Sequence, residues 1–318
     1  MRQLRGVITV LGVLGTAAAA AGVAAHYLGV VDDTVARIAA FTPVLVVLGA
    51  VAVLLLALTR RWALVALALV VVGAGVWSQV PLFTGSAPGP NAGGATIRLM
   101  QANIRLGEAD AAALVRTVTD ERVDVLTLVE LTEKGAQRLL AAGLTDVLPC
   151  YVARPRDSGG GAAILSRFPL SAGTRLAGLE TNNLQAVAQL PGVGPIAVYA
   201  LHPVPPYPGP AEEWATELRR LQTIFAAQDL PVLVGADFNS TYDHRQYRDL
   251  LRESSLVDAA EYLGAGLVAT FPADQWYPAV LGIDKILTRG GTPQSLRRVD
   301  LPGSDHYGVI GDVRFGAS

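Results

Sequence analysis

Three uninterrupted apolar runs fill the N-terminal quarter of the chain, and they require part of it to be solvated by something other than water. Gly6–Val31, Ile38–Thr59 and Trp62–Phe83 contain no Asp, Glu, Lys or Arg. Each meets the length of about 20 residues that a helix rising about 1.5 Å per residue needs to cross roughly 30 Å of hydrocarbon. They are apolar all round, whereas a helix of a globular core is apolar on one side. Three transmembrane helices are therefore expected over residues 1–83. A cleaved signal peptide would account for the first run, which follows Arg2 and Arg5, but not for the two behind it.

The sparse charges orient these helices. Arg2 and Arg5 precede the first run, Arg60 and Arg61 separate the second from the third, and Asp32, Asp33 and Arg37 occupy the other loop. Retention of Lys and Arg on the cytoplasmic side places the N-terminus inside and everything after Phe83 outside, in a multi-pass cell-membrane protein. Trp62, Trp77 and Phe83 are expected as interfacial anchors, and His26 as an interfacial residue near the end of the first span. The chain carries 25 Lys/Arg and 27 Asp/Glu in all, of which residues 1–96 hold five arginines and two aspartates; the remaining 222 residues therefore carry 20 and 25, a net charge of −5. That balance disfavours a strongly basic nucleic-acid binder. One cysteine, Cys150, excludes a disulfide scaffold, and no thiolate-stabilising pattern surrounds it.

Thr84–Ala95 (TGSAPGPNAGGA) is a Gly/Pro/Ser-rich flexible linker. Residues 96–318 then alternate short strand-like runs with helical patterns, which predicts an α/β domain. Strands are expected over 96–104, 123–130, 161–170, 184–190, 195–202, 231–239, 282–288 and 305–315, and helices over 108–120, 131–144, 212–228 and 244–254. Asp243 and His244 are expected to cap and begin a surface helix. Lys285, Arg154 and Arg156 are expected as surface or rim charges, and Gly159–Gly161 as a tight turn before a strand.

Apolar strands ending in reactive side chains carry the functional signal. VLTLV leads to Glu130, AVYAL to His202, and VLVGA to Asp237 and Asn239. A buried strand gains nothing structurally from such an ending, and layered α/β folds bind ligands at strand ends. Asp237 and Asn239 share one side of an extended chain, with Phe238 on the other. Asp284 lies within an otherwise apolar strand, where a carboxylate needs a partner, and a histidine is a suitable one.

In order, Asn103, Glu130, His202, Asp237, Asn239, Asp284, Asp305 and His306 stand in the segments QANI, DVLTLVE, LHPVPP, GADFNS, GIDKIL and SDHYGVI, with GGGAAILSRFPL between the second and third. In this order the segments resemble the endonuclease/exonuclease/phosphatase superfamily of metal-dependent phosphoesterases. The resemblance implies a four-layer α/β sandwich, two packed sheets flanked by helices. It implies that Glu130, with Asn103 and Asp305, holds Mg²⁺ or Mn²⁺, and that Asp237 orients or deprotonates the attacking water. It further implies that Asn239 and His202 donate to the phosphoryl oxygens, and that His306, held by Asp284, binds the phosphate. No clear second acidic residue appears near Asp157–Ala163, a departure from many nuclease members.

Three spans followed by an outward-facing domain of this kind resemble bacterial membrane proteins related to the teicoplanin-resistance family. That resemblance implies hydrolysis of a phosphate or pyrophosphate on a lipid carrier such as undecaprenyl pyrophosphate, and a phospholipid is the other lipid substrate expected. A membrane-tethered extracellular nuclease and a non-catalytic lipid-binding module are the alternatives. Retention of Glu130, Asp237, Asn239, Asp305 and His306 argues against the latter.

Overall fold

The computed structural model describes residues 2–86 and 94–316. Four helices come first: α1 (Arg2–Leu28), α2 (Asp33–Ala40), α3 (Thr42–Leu58) and α4 (Trp62–Gln79). Two helical segments, Arg2–Leu28 and Trp62–Leu82, are long and apolar enough to cross a membrane. The expected single helix over 38–59 is instead divided at Phe41, where α2 and α3 meet at a bend of 69°. Pro43 sits in the first turn of α3, where its missing N–H costs nothing, whereas a helix continuing from α2 would need that N–H for the Ala39 carbonyl and would bring the proline ring against it. Residues 38–40 belong to the short amphipathic α2, whose N-terminus is capped by the Asp32 carboxylate accepting from the N–H groups of Thr34 and Val35.

The second part contains β1 (Ala95–Asn103), α5 (Ala111–Asp120), β2 (Val125–Val129), α6 (Glu133–Ala141), α7 (Leu144–Val147), β3 (Cys150–Arg154), β4 (Ala162–Ser166), β5 (Leu170–Arg175), β6 (Leu184–Leu190) and β7 (Gly194–Leu201). It continues through α8 (Ala211–Ala226), β8 (Val232–Asp237), α9 (Arg245–Glu253), β9 (Val257–Asp258), α10 (Ala259–Leu263), β10 (Asp284–Arg289), β11 (Gly291–Val299) and β12 (Gly308–Phe315). One sheet runs β11-β12-β1-β2-β4-β3 and the other β5-β6-β7-β8-β10-β9. Each is mixed: β1 pairs in parallel with β2, and β7 with β8. The helices α5 and α8 make the crossovers that parallel pairing demands.

Three apolar cores stack in layers. Ile97, Leu99, Ile164, Val198, Leu233 and Ile286 fill the space between the sheets. Met100, Leu126 and Leu128 pack beneath α5 and α6 with Leu114, Val118 and Leu139. Val232, Val234 and Ala236 pack beneath α8 and α9 with Trp214, Leu218 and Tyr247. The product is a helix–sheet–sheet–helix sandwich, the α/β architecture that the element order predicted, in the four layers that the family resemblance implied. The sheets approach closely at Gly235, where a Cβ would lie 2.0 Å from the Thr127 hydroxyl; only glycine fits there.

Strands β3, β5 and β11 are additions to the sequence expectation. Each includes half-exposed or exposed positions along a sheet edge. Edge strands carry polar residues, and in β11 a proline, Pro293, so they lack the apolar signature of central strands.

The helical region is seated on the sandwich through buried polar contacts. His26, expected at the membrane interface, is buried, and its Nδ1 lies 2.7 Å from Asp243 Oδ1. Gln79 Nε2 donates to the same oxygen at 2.7 Å. Asp243 and His244 do lead into α9, with His244 at its N-cap position, but both are buried rather than at the surface, and the His244 side chain makes no capping hydrogen bond. Burial lowers the His244 pKa to about 4, so the ring is neutral: Nδ1 accepts from Thr241 N–H at 3.0 Å while Nε2 donates to the Ala36 carbonyl at 3.0 Å. Asp33 accepts from the N–H of Ala211 at the start of α8 (2.8 Å). Lys285, expected at the surface, is buried as well, because strand alternation turns it toward Asp258 (3.5 Å) and the Tyr247 ring. Of the expected linker, residues 87–93 lie outside the described residues, and Ser86 N–H donates to the Tyr262 carbonyl.

Asp243→Ala would leave His26 and Gln79 without their acceptor, at about 1–3 kcal/mol for each buried donor left unpaired. Thermal unfolding of the detergent-solubilised chain is expected to show a clear loss for Asp243→Ala. A much smaller loss is expected for Asp243→Asn, which keeps an acceptor oxygen.

Candidate active site

Strand alternation brings the polar ends together. Along β1, Ile97 and Leu99 enter the core between the sheets, and a side-chain period of two carries Asn103 to the same side. In β7, Ile196, Val198 and Ala200 face that core, so His202, the next residue in phase, faces it too. In β8, Leu233 is on the inner side and Val232, Val234 and Ala236 are on the helix side, which makes Asp237 the last inner position. In β10, Ile286 is inner, and Asp284 lies in register opposite Asp237. Two sheets thus deliver four polar groups to one end of their shared interface.

Glu130 departs from this rule. Leu126 and Leu128 face the helices, and continued alternation would send Glu130 with them. Instead its backbone is left-handed, with φ of 57°, a conformation costing about 1–3 kcal/mol that persists only where surrounding structure demands it. The demand is visible in its contacts. Its Oε2 accepts from Leu106 N–H at 3.0 Å and its Oε1 from Asn103 Nδ2 at 2.9 Å.

Asn103 joins the two halves of the sandwich. The same Nδ2 donates to Asp237 Oδ2 at 3.0 Å. Its Oδ1 accepts from Arg105 N–H at 3.0 Å, and its main-chain carbonyl from the Ser304 hydroxyl at 2.8 Å. Around Asp237 stand two imidazoles: His202 Nε2 is 3.7 Å and His306 Nε2 3.8 Å from its Oδ2. His202 Nε2 is also 4.0 Å from Glu130 Oε1. Asn239, left-handed at φ 50°, donates its N–H to Asp237 Oδ1 at 2.9 Å and its side-chain amide to the Pro203 carbonyl at 3.1 Å. His306 Nδ1 lies 2.8 Å from Asp284 Oδ2, and its ring lies 4.8 Å from that of Phe271.

Seven of the eight residues singled out from the sequence therefore share one network. Asp305 is half-buried beside His306. Its main-chain carbonyl accepts from Ala273 N–H, and among the described residues its carboxylate takes no part in the network's hydrogen bonds. Asp157 faces the start of α6, 3.4 Å from Glu133 N–H. Arg156 pairs with Glu180 (3.1 Å). The turn at Gly159 backs onto Glu130, where a Cβ would lie 3.9 Å from the carboxylate.

Several supporting groups carried no legible signal in the sequence. Asn183 Oδ1 accepts from His202 N–H at 2.7 Å, and the Thr181 hydroxyl donates to the His202 carbonyl. The Thr270 hydroxyl accepts from Asp284 N–H at 3.3 Å, and the Ser304 hydroxyl from His306 N–H at 3.1 Å. Their residue types are commonplace, and only folding brings them near. Ser304, adjacent to Asp305, is the one that a closer look at SDHYGVI could have found.

The electrostatics follow from burial against pairing. Burial opposes the charge of Asp237, but His306, His202, the Asn239 N–H and the Asn103 amide outweigh it and hold its pKa below the ordinary value. Burial, reinforced by the Asp237 charge, raises Asp284 despite His306. Burial disfavours charge on His306 too, yet Asp284, Asp237 and Asp305 raise its pKa to about 10. The ring is an imidazolium at neutral pH, aimed at the same space as Asp237.

Ligand atoms of Asp237, Asp284 and His306 lie within 4.8 Å of one another. A protonated imidazole offers no lone pair, so carboxylate and amide oxygens are the better cation donors here. Asp284 Oδ1 is buried without a hydrogen-bond partner, and an oxygen-rich set of this kind suits a hard divalent ion.

The family model for the Endonuclease/Exonuclease/phosphatase family matches residues 100–306. The chain belongs to that family. Its members are metal-dependent phosphoester hydrolases. No curated protein matches the chain. Among solved structures, the endonuclease/exonuclease/phosphatase from Beutenbergia cavernae is 19% identical, with TM-score 0.52 over 70% of this chain and 72% of that one. The family protein from Leptotrichia buccalis is 15% identical, with TM-score 0.55 over 69% and 100%. D. rerio TDP2, complexed with a single-strand DNA product, is 18% identical, with TM-score 0.53 over 69% and 99%. At these identities the likeness is one of fold.

The raised value of His306 fixes the sign of a pH effect. Its stabilising contribution is complete below the ordinary value of 6.5 and is lost as pH rises through about 10. Asp284→Asn removes the main attraction and should lower the His306 titration by about 1–3 units, as read by NMR. The alkaline limb of any activity profile should move down with it; an unmoved titration would show that Asp284 does not set this charge.

Proposed function

We propose that this protein is a membrane-anchored, divalent-metal-dependent phosphoesterase that hydrolyses a phosphate or pyrophosphate ester on a lipid at the outer face of the cell membrane. One observation carries the choice of a lipid. The loops that leave the site residues rest on the helical region. His202 leads into Pro203–Pro210, where Tyr207 lies under Arg37 at 5.1 Å and Pro210 adjoins the Ala211–Asp33 contact. Asp237 and Asn239 lead into Asp243 and His244, which meet α1, α2 and α4. Asp284 follows a loop whose Gly266 N–H donates to the Leu82 carbonyl at 2.8 Å. A site so seated meets substrate in the bilayer at high effective concentration.

The orientation rests on the arginines. Arg2, Arg5, Arg60 and Arg61 lie at the helix ends away from the sandwich contacts. The positive-inside tendency then puts those ends in the cytoplasm and the sandwich outside.

In the proposed reaction, Asp237 takes a proton from water as the water oxygen attacks phosphorus. The ester P–O bond breaks, the leaving oxygen takes a proton from solvent water, and Asp237 returns its proton to solvent. The His306 imidazolium, held by Asp284, together with His202 and Asn239, stabilises the negative charge on the phosphoryl oxygens. A cation such as Mg²⁺ or Mn²⁺, held by Glu130, Asn103 and Asp305, would supply Lewis-acid polarisation of the phosphoryl group. The excess of acidic residues after residue 96 weighs against an extended nucleic-acid track, which relies on Lys and Arg contacts to phosphate.

The test is phosphate release by the purified full chain from a panel of micellar lipid phosphates and pyrophosphates, beside nicking of plasmid DNA, each with Mg²⁺ and with EDTA. Release from a lipid, lost with EDTA and reduced about 10²–10⁴-fold by Asp237→Asn and by His306→Ala, is expected. DNA cleavage without lipid hydrolysis would replace this proposal with the nuclease.

A further inference from the structure

We infer that the groove between the membrane helices and the loop preceding Asp284 binds the hydrocarbon tail of the lipid whose phosphate enters the site; the identity of the occupant rests on the lipid-phosphatase proposal above. The groove has a volume of about 400 Å³ and is lined by Pro43, Val46, Val76, Val80, Phe83 and Leu267. Two polar residues stand in the wall: Gln79 turns its Nε2 to Asp243 and Ser78, with its Oε1 buried, and the Thr84 hydroxyl donates to the Val80 carbonyl, so the lining presented to a ligand is almost wholly apolar. Volumes of about 300–1,000 Å³ are typical of small-molecule sites.

Its continuity with the lipid-facing surface names the occupant. Val76 and Trp77 are 53% and 72% exposed, on a helical segment apolar enough to cross a membrane, and Phe83, just past its end, is 60% exposed. Val44 and Val47 of α3 are exposed beside Val46. A hydrocarbon chain already lying along these helices reaches the groove without crossing water.

The loop makes the connection to the chemistry. Leu267 lines the groove, while four residues later the Phe271 ring packs against His306 at a tilt of 42°. Four residues span at most about 14 Å. Between them Thr270 accepts from Asp284 N–H, and its carbonyl accepts from Tyr307 N–H at 2.9 Å. One lipid can thus place its phosphate at His306 and its chain against Leu267. A tail in the bilayer is already in apolar surroundings, so the groove adds packing contacts rather than hydrophobic driving force. Its effect is to position the head group, and discrimination by chain length is the expected signature.

Full-length protein in phosphatidylcholine nanodiscs is photolysed with a non-hydrolysable phosphonate analogue of phosphatidic acid bearing a terminal diazirine on one acyl chain. Adducts should concentrate on peptides containing Val76–Phe83 and Leu267. Leu267→Trp and Val76→Trp, both at partly exposed positions that tolerate bulk, should each reduce them about tenfold. Phosphatidylcholine with the same diazirine should not favour these peptides. Equal labelling by the two lipids, or labelling indifferent to both substitutions, would mean a boundary lipid only and overturn the inference. In parallel, the ratio of kcat/KM for long-chain over short-chain phosphatidate should fall about tenfold in both variants, and an unchanged ratio would overturn it. If the unsubstituted protein releases no phosphate from any lipid, the phosphatase proposal fails, and the labelling map alone decides the groove.

Discussion

Burying an ionised carboxylate between two apolar sheets is unfavourable unless partners compensate it, and the organisation of this protein turns on how Asp237 is compensated. Asn103 reaches it from the opposite sheet, while His202 and His306 stand close on either side. These groups come from β1, the end of β7 and the start of β12. None can be supplied without the two sheets packing face to face with their ends aligned. The same contacts that satisfy the charge therefore hold the site in shape before a substrate arrives. The left-handed backbone at Glu130 and Asn239 belongs to this arrangement, because it redirects polar groups where plain alternation would send them elsewhere.

A second polar junction lies just beyond the first along the chain. Five residues after Asp237, the strand-end loop reaches Tyr242 and Asp243, which meet His26 and Gln79. The site loops and the helix ends are thus parts of one packed structure. Under the proposed function, that coupling would give the apolar helices a role beyond tethering, as part of the surface from which a membrane-borne substrate approaches.

Much of this was legible in the residues. Apolar runs ending in Glu130, His202 and Asp237 disclosed both the central strands and the side chains at their ends, because a period of two is a local property of extended backbone. That Asp284 needs a partner was legible for a physical reason, since a carboxylate inside an apolar strand is costly alone; that the partner is His306 was implied by the family resemblance. The edge strands β3, β5 and β11 were not legible, since exposed edges tolerate the residues that loops use. The break at Phe41 was obscured by an apolar composition that continues across it, although Pro43 marked the place. His26, Asp243, His244 and Lys285 read as surface groups because charge and polarity normally mean exposure, and their partners are distant in sequence.

The sequence by itself determined where hydrocarbon-compatible helices can form, which strands form the buried centre of the sheets, and which reactive side chains end them. Each of these follows from neighbours a few residues away. Only the tertiary structure decided that Asn103 bridges Glu130 and Asp237, that the imidazole of His306 stays charged, and that the helix ends dock on the loop after Asn239. These depend on burial and on contacts between segments far apart in the chain, and both exist only once the sheets have packed.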